Sequence, residues 1–407
     1  MELDLGPEAA AFRAEVRDWI ARNAPAGLAE LVDWTSPPMT GGDRAAWQRA
    51  EADPRYAEWD RRLLEGGWIC PQWPKRFGGR GLTPVQNAIF SEELARAGLP
   101  RVRRGFGENM VGPSIMVHGT EEQQKHFLPR IITAEDVYCQ GFSEPEHGSD
   151  LGGVQTRGVV VGDEIVVTGQ KVWTSGFYRA NMIFVLCRTD PDAPKHKGLS
   201  YVLLPMRDNN IDARPLKQLT GSAEFGEEFI DGARAPLFNV IGGLGGGWRV
   251  AMTTLGHERG GSATIAHLRY RRQFEELVEL ARRQGRDRDP VVRQELAWCY
   301  THVEIMRYQG MRLMAQLAEG REPGPEASVS KLFWSEYERR VGEIAAELLG
   351  AEALVRPDGE GYRTSHWQGV FLASRAGTIY SGTSEIQRNI IAERALGLPR
   401  EPAGVAR

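Results

Sequence analysis

The 407-residue sequence lacks long apolar runs and a strong charge bias. No stretch approaches the roughly 18 to 20 apolar residues that a membrane-spanning helix requires, and the opening MELDLGPEAAAF has no basic-then-apolar signal pattern. A net charge of −4 argues against a nucleic-acid partner, and a hydrophobic content of 41% argues against disorder. We therefore expect a globular, cytoplasmic protein with no membrane span and no nucleic-acid partner.

Paired cysteines are also lacking. The four that occur are far apart and form no CxxC pair; they are Cys70, Cys139, Cys187 and Cys299. This spacing favours free, reduced thiols that pack in the interior. His118 and His126 have no metal-ligand companions at useful spacing, so we assign them structural roles. The sequence thus predicts no metal site.

Helical periodicity is present at both ends of the chain. Phe12, Val16 and Ile20 recur at helical spacing after a first-turn proline, another helix is expected over about 83–97, and Thr120 opens a capping box for a short helix ending at Pro129. Residues 33–60 are rich in Pro, Gly and Trp, which predicts an irregular excursion. Four long amphipathic segments predict a helical bundle; they span roughly 248–283, 290–319, 325–350 and 366–395.

The pattern changes after Asp150. Residues 159–161 and 165–167 flank a Gly-Asp pair and predict a hairpin, and short continuous apolar strands follow at 182–187 and 199–204. The glycine run at 242–247 lacks the GxGxxG spacing, and we interpret it as a flexible lead-in to the C-terminal helices. The expected fold class is α+β. It comprises an N-terminal helical domain (1–134), a β-barrel or sandwich domain (135–241) and a C-terminal four-helix bundle (242–407).

Two segments carry the candidate chemistry: YCQGFSEPEHGSD (138–150) and KVWTSG (171–176). Glycines in the first segment allow its backbone to lie against a bound group. Trp173 offers an aromatic face. Hydroxyl groups for a polyoxygenated ligand come from Ser143, Ser149, Thr174 and Ser175. Either segment alone is equally typical of a plain turn.

Together, in this order and spacing, the two segments resemble the flavin-binding segments of the acyl-CoA dehydrogenase family. A third stretch, IYSGTSEIQRNIIAERALG (379–397), resembles that family's closing signature. The resemblance covers nearly the whole chain and implies FAD, helices before and after a β domain, and a homotetramer or homodimer. It also implies dehydrogenation of an acyl-CoA to the trans-2-enoyl-CoA, with electrons passed to an electron-transfer flavoprotein. The flavin contacts that it implies are Phe142, Ser143, Gly148, Ser149, Trp173, Thr174, Ser175, Thr383 and Glu385.

The catalytic base is the main departure from the family pattern. Many members carry a glutamate directly after the tyrosine of the closing motif, where this chain has Ser381 after Tyr380. A serine hydroxyl is not a competent base by itself. A second branch, including isovaleryl- and long-chain-type enzymes, carries the base on the first bundle helix before an arginine, and Glu258 precedes Arg259 at the matching position. The resemblance therefore implies Glu258 as the base, with Ser149, Arg259, Tyr380 and Ser381 at the substrate.

Two further departures leave alternatives open. The family's Arg-x-x-Phe-Gly run is replaced by RRQGRDRDP (282–290), in which Arg286 or Arg288 could substitute, and Glu347 replaces a glutamine. Some bacterial members, especially in actinobacterial sterol side-chain degradation, are α2β2 heterotetramers in which each subunit type supplies half a site. One alternative is therefore a non-catalytic or half-site subunit of such a heterotetramer with a paralogous chain. Another is a flavin monooxygenase on the same fold.

Overall fold

The chain runs from helices through a central sheet and back to helices. A computed structural model describes residues 6–32, 44–260, 266–318, 321, 324–325, 327–355 and 364–400. Strands begin at Tyr138, after the last N-terminal helix ends at Ile132, and the final strand ends at Ile241. The predicted α+β order of helices, β unit and helical bundle is confirmed.

The described residues before the sheet form six α-helices: α1 (Gly6–Asn23), α2 (Arg44–Glu51), α3 (Pro54–Glu65), α4 (Pro84–Arg96), α5 (Gly112–His118) and α6 (Glu121–Ile132). Thr83 and Thr120 cap α4 and α6 with capping boxes. The prediction that α6 ends at Pro129 is wrong, because the helix continues and buries Ile131 and Ile132 in the core. Burial of that last turn offsets the hydrogen bond that the proline lacks.

The prediction of irregular structure over 33–60 is also wrong for residues 44–51 and 54–60. Residues 44–51 and 54–60 are helical, in α2 and α3, and Asp53 caps α3 by accepting the N–H of Arg55. Residues 33–43 lie outside the part of the chain that the structure describes. The Pro and Gly content of the stretch therefore led the prediction to miss two short helices. The start of α3 is marked in the sequence by Asp53 and Pro54.

Eight strands form the central sheet: β1 (Tyr138–Gly141), β2 (Arg157–Val161), β3 (Glu164–Ser175), β4 (Met182–Arg188), β5 (Leu199–Pro205), β6 (Ile211–Leu216), β7 (Phe225–Pro236) and β8 (Val240–Ile241). Their order is β6-β7-β3-β2-β4-β5-β8, and β1 pairs with β4. The predicted hairpin is β2–β3, which pairs antiparallel. Strands β2 and β4 meet at the pair Arg157–Arg188, where the sheet divides into two halves.

The two halves pack on each other through an apolar cluster, as in a sandwich. It contains Ile165, Val167 and Ile230 from one half and Ile183, Val185, Val202 and Leu204 from the other. The opposite face of β4 and β5 joins the core of the N-terminal helices through Phe184, Leu186, Tyr201 and Leu203. Because both faces of β4 and β5 are buried, the two strands are continuous apolar runs in the sequence.

Within the described part of the chain, six α-helices follow the sheet: α7 (Gly247–Gly260), α8 (Ala266–Arg283), α9 (Pro290–Ala318), α10 (Ala327–Leu349), α11 (His366–Gly377) and α12 (Ser384–Ile390). Helices α8, α9, α10 and α11 pack around a shared core. It includes one residue from each of them, namely Leu277, Val303, Tyr337 and Val370. The predicted helix over 248–283 is two helices, and residues 261–265 between them lie outside the described ranges. The predicted helix over 366–395 is interrupted after Gly377, where a turn with left-handed residues precedes α12.

The glycine run at 242–247 is a close-packed junction, which corrects the prediction of a flexible lead-in. Gly242, Gly243 and Gly245 have φ values of 78°, 78° and 74°, a region that favours glycine. The N–H of Gly245 donates to the Ser200 hydroxyl at 3.0 Å. A Cβ on Gly247 would collide with the Ser200 backbone. The run therefore seats the start of α7 directly on β5.

All four cysteine side chains are buried, and burial raises the pKa of Cys187 and of Cys299 to about 12. Within the described ranges, no group of three or more His, Cys, Asp or Glu residues is arranged to hold a metal ion. No helix among the same residues has the length and hydropathy needed to cross a membrane.

Candidate active site

The two segments that the sequence singles out meet along β3. The N–H of Val172 donates to the carbonyl oxygen of Ser143 at 3.0 Å. One residue earlier, the Lys171 ammonium donates to the carbonyl of Phe142 at 3.1 Å. The structure thus joins segment 138–150 to segment 171–176 by main-chain contacts, which spacing alone did not establish.

Lys171 is completely buried at this junction. Besides Phe142, its ammonium donates to the Leu186 carbonyl at 2.8 Å and to the Glu144 carboxylate at 2.9 Å. These contacts use all three donors of the ammonium group. Burial lowers the pKa of Lys171, and Glu144 acts in the opposite direction. The lysine therefore ties loop 142–144, β3 and β4 together from inside the sheet.

Glu144 completes this frame, and sequence reasoning missed its role. Its carboxylate accepts the N–H groups of Gln155 at 2.6 Å and Thr156 at 2.8 Å. Burial opposes ionisation, but Lys171 and these N–H groups together hold the pKa of Glu144 below its ordinary value. The available signal was a pair of charged residues inside otherwise small or apolar segments, which burial requires to be paired.

Strand β3 carries a β-bulge between Val172 and Thr174, opposite β7. At its centre Trp173 has φ 64°, a conformation that costs a non-glycine residue about 1–2 kcal/mol. The bulge turns Trp173 outward, so that its side chain is 59% exposed and packs edge-to-face on Phe225 at 6.0 Å. An exposed indole held in a strained backbone is suited to contact a planar ligand.

The other predicted residues near Trp173 divide into exposed and buried groups. Gly148 and Ser149 are exposed, and a Cβ on Gly148 would meet no atom within 4 Å. Ser143 and Ser175 are half-buried. The Phe142 ring is buried and packs on Phe184 at 5.4 Å, so only the main chain of Phe142 remains for a ligand.

The Thr174 side chain points into the sheet, so its predicted hydroxyl contact with a flavin needs correction. The hydroxyl is buried and hydrogen-bonded to the carboxyl group of Glu228 on β7. Burial raises the pKa of Glu228 to about 7, although the bond to Thr174 acts in the opposite direction. The Oε1 atom of Glu228 is buried and has no hydrogen-bond partner among the described residues. No sequence signal marked this carboxyl, since Glu228 lies in an apparently ordinary strand.

Tyr380 and Ser381 occupy the turn between α11 and α12. Ser381 has φ 52° and Gly382 has φ 89°, so two successive left-handed residues reverse the chain. The buried Gln387 side chain donates to the Ser381 carbonyl at 2.9 Å. Tyr380 is 48% exposed beside this turn. The turn therefore holds the main chain at position 381 in a defined direction.

A polar cleft of about 470 Å³ lies beside the same turn. Thr383 and Glu385 both line it, together with Arg339 and Arg388. Thr383 also caps α12, where its hydroxyl accepts the N–H of Ile386 at 3.2 Å. The two bundle residues that the family resemblance implies for the flavin thus share one cleft that also contains two guanidinium groups.

The predicted base lies on α7, but the side chains of Glu258 and Arg259 lie outside the described residues. The preceding turns of α7 are described. Val250 and Thr254 are fully buried, and the Thr254 hydroxyl lies 2.7 Å from that of Ser114 on α5.

FAD, which the family resemblance implies, can be tested against these residues. Its ring system needs a flat apolar wall with hydrogen-bonding groups at the edge, and its diphosphate needs cations or N–H donors. The exposed Trp173 indole with Ser143 and Ser175 beside it meets the first requirement. For the second, the cleft at Thr383 offers Arg339 and Arg388, which pair there with the carboxylates of Glu336 and Glu385. The residues at Trp173 fit the ring system of an FAD.

Comparisons with known proteins agree on one family. Three family models match successive parts of the chain: acyl-CoA dehydrogenase N-terminal domain (residues 6–135), middle domain (139–230) and C-terminal domain (245–396). Acyl-CoA dehydrogenase IpdE1 of Mycobacterium tuberculosis is 43% identical over 393 residues, which cover 97% of this chain and 98% of that relative.

Two solved structures extend the similarity to three dimensions. A structure described as the Tcur3481-Tcur3483 steroid ACAD has a TM-score of 0.77 at 31% identity and covers 98% of this chain and 100% of that one. The ChsE4-ChsE5 complex from Mycobacterium tuberculosis has a TM-score of 0.77 at 28% identity, with the same coverage of both chains. Each of these two structures is named for two different chains.

Proposed function

Because the chain belongs to the acyl-CoA dehydrogenase family and is thus an FAD-dependent oxidoreductase, we propose that it converts a ring-bearing acyl-CoA to the trans-2-enoyl-CoA. An electron-transfer flavoprotein would receive the electrons. The observation that carries the proposal is the hydrogen bond from Val172 to Ser143, which joins both motifs beside the exposed Trp173. Bound FAD supplies the hydride acceptor.

Glu258 is the proposed base that removes the proton at C2. Ser381 stands where many relatives carry a glutamate, and Glu258 on α7 is the acidic residue at the alternative family position. A proton next to a thioester is weakly acidic, so the base must be desolvated and the developing negative charge on the carbonyl oxygen must be stabilised. The main-chain N–H of Ser381, in a turn fixed by Gln387, is the proposed donor to that oxygen.

The residues proposed to hold the two ligands follow from the same family pattern. Trp173, Ser143, Ser175 and the main chain at Gly148 would hold the flavin ring. The phosphate-bearing end would lie in the cleft that Thr383 and Glu385 line. The substrate residues are a separate set: Ser149, Arg259, Tyr380 and Ser381.

A bulky, ring-bearing acyl group is the proposed substrate class. A relative described as a steroid ACAD is 31% identical over nearly the whole chain. In addition, serine at position 381 is smaller than the glutamate that many family members carry there. Both points favour a substrate wider than a straight chain.

A second, different subunit is proposed to complete the flavin site. Both structural relatives described above are named as pairs of chains. Arg286, which could substitute for the family's arginine, forms an ion pair with Asp289 at 2.6 Å within its own loop. Glu347 replaces the family's glutamine, and its side chain is 65% exposed. An α2β2 assembly would supply these contacts from the paralogous chain, whereas a homotetramer or homodimer would not.

Anaerobic titration with straight, branched and ring-bearing acyl-CoAs tests the proposal, with flavin absorbance as the readout. The FAD-loaded protein is used, either the chain alone or the chain co-expressed with a paralogue if it carries no flavin alone. Some ring-bearing member should bleach the flavin. Glu258→Gln should retain FAD but reduce the bleaching rate by at least about 100-fold, since general bases contribute that much or more. Glu279→Gln on the exposed face of α8 is the matched control and should behave as the parent.

Three outcomes would contradict parts of the proposal. If Glu258→Gln bleaches as fast as the parent, another residue is the base. If straight-chain thioesters react and ring-bearing ones do not, the substrate class is wrong. Purification with stoichiometric flavin and full activity as a single chain would exclude the half-site assembly, whereas recovery of flavin only after co-expression with a paralogue would support it.

A further inference from the structure

The outward turn of Trp173 depends on a backbone distortion that something must hold. In regular alternation Trp173 would share the inward face of Lys171, two residues earlier. The bulge shifts the alternation, so that Thr174 is buried and Trp173 is exposed. Because φ 64° is unfavourable for tryptophan, contacts around the bulge must stabilise it. On one side the contact is the Val172 to Ser143 hydrogen bond.

On the other side the contact is Glu228. Thr174 pairs with Gly226 across β3 and β7, and Glu228 lies two residues further along β7. Its carboxyl group folds back toward Gly226 and occupies the space that a side chain there would need, since a Cβ on Gly226 would collide with the Glu228 Oε1 atom. The same Cβ would lie 2.6 Å from the Phe177 ring. The glycine thus makes room for the carboxyl that binds the Thr174 hydroxyl.

The surroundings of this carboxyl do not favour its charge. Lys171 lies directly opposite Glu228 in the β3–β7 register, but its ammonium donates to Glu144 and to two carbonyl oxygens. On its own strand Glu227 adds a second negative charge nearby. From β1 the buried Cys139 thiol faces it. Thr174 on β3 contributes a hydroxyl.

We propose that Glu228 is a positioning residue: its carboxyl group clamps Thr174 and thereby holds the bulge that presents Trp173 to the flavin. Ionisation leaves a buried carboxylate with one hydroxyl partner and one unpartnered oxygen. The charge is relieved when the bulge opens and water reaches the carboxyl. Opening of this segment is therefore linked to proton release from Glu228.

The sign of the linkage follows from the two protonation states. The pKa of Glu228 is about 7 in the fold against an ordinary 4.5, so the closed bulge binds the proton more tightly than the open one. Stability of the bulge is full below pH 4.5, declines as pH rises from about 4.5 to about 7, and levels off above that. The part of the inference that concerns flavin rests on the proposed flavin site, whereas the part that concerns the bulge does not.

Hydrogen exchange of FAD-free protein tests the clamp. The protection factors of amides 172–176, corrected for intrinsic exchange at each pH, should fall by roughly tenfold to a hundredfold between pH 5 and pH 8. Glu228→Gln, which keeps the shape without the titration, should show nearly constant protection. Glu227→Gln is the matched control because it removes a neighbouring carboxylate whose partner is Gln170. The decline with pH should persist, with an upper limit slightly below the parent's, because Glu227 contributes to the raised pKa of Glu228.

Thr174→Val provides a second test of the clamp if Glu228→Gln does not fold. The hydroxyl favours the ionised carboxyl, so its loss should lower protection at every pH and extend the decline above pH 7. Identical pH profiles for the parent and Glu228→Gln, or loss of the profile in Glu227→Gln, would overturn the clamp. The clamp would also be overturned if protection in Thr174→Val stops declining at the same pH as in the parent.

Equilibrium binding of FAD at pH 5 and pH 8 separates the two parts of the inference. The Kd of the parent should rise by the factor by which the closed fraction of the bulge falls between the two pH values, and that of Glu228→Gln should change by less than about threefold. If the bulge opens with pH while the FAD Kd ratios of the parent and Glu228→Gln are equal, the clamp stands and the proposed flavin contact of Trp173 is wrong.

Discussion

Two buried carboxyl groups flank the same stretch of β3, yet their pKa values move in opposite directions. Glu144 accepts hydrogen bonds from the Lys171 ammonium and two main-chain N–H groups, and its pKa lies below the ordinary value. Glu228 has the Thr174 hydroxyl as partner, and its pKa is raised to about 7. Burial opposes both charges, so the partners decide which group is ionised.

The difference also separates their effects on stability. The Glu144 pair stabilises the fold above the ordinary pKa of 4.5 and loses its contribution as pH falls and the carboxylate is protonated. Glu228 destabilises the fold progressively as pH rises from 4.5 to about 7. A satisfied buried charge therefore forms a fixed frame at one end of the motif. At the other end, an under-satisfied carboxyl makes the backbone sensitive to pH.

The largest effect is expected from breaking the frame. Lys171→Met removes the ammonium and leaves the Glu144 carboxylate buried, which should lower the free energy of unfolding by about 3–5 kcal/mol at pH 7. Chemical denaturation measures this loss. The deficit should shrink below pH 4.5, where Glu144 becomes neutral. A loss below about 1 kcal/mol at pH 7 would mean that the pair does not frame the site.

A smaller effect of opposite sign is expected at Glu228. Glu228→Gln should match the parent's unfolding free energy at pH 5 and exceed it at pH 8 by at most about 3 kcal/mol, because the pKa shift from 4.5 to about 7 is removed. Denaturation curves of both proteins at the two pH values provide the test. Equal stability differences at pH 5 and pH 8 would contradict the assigned titration.

The smallest effect is expected from an exposed pair in the same region. Lys195 and Asp150 lie 2.6 Å apart, with side chains 52% and 56% exposed. Lys195→Met should change the unfolding free energy by less than about 1 kcal/mol, and added salt should reduce even that difference, because water and ions screen the pair. Comparison of Lys195→Met with Lys171→Met shows how much of the stability loss comes from burial of an ion pair and how much comes from loss of an ion pair as such. An effect equal to that of Lys171→Met would remove this distinction.

Much of the fold followed from periodicity. The apolar stripe of α10, the continuous apolar runs of β4 and β5 and the β2–β3 hairpin lie where the patterns predicted. The errors occurred where tertiary packing overrode a local signal. Pro129 did not end α6, because the next turn buries Ile131 and Ile132. The glycine run at 242–247 was close-packed because β5 lies against it.

The candidate site was predicted only in outline. The motifs identified Trp173, Ser143 and Ser175 as candidate flavin contacts, but they did not reveal that Thr174 faces inward or that the Phe142 ring belongs to the core. A bulge reverses the alternation of side chains, and contacts with the partner strand fix the bulge. Here the contact residue on that strand is Glu228, which is 54 residues from Thr174 in the sequence. The roles of Glu258 and Arg259 stay predictions, since their side chains lie outside the described residues.

The sequence by itself determined the family, the order of helical and β parts and the FAD requirement, because these depend on residue types in separated motifs that can be recognised without coordinates. Only the tertiary structure decided which charges in those motifs are paired. Glu144 and Glu228 are both glutamates in or opposite a flavin motif, and nothing local distinguishes them. Their difference arises because Lys171 reaches one and not the other, and desolvation makes each buried charge depend on its nearest partners.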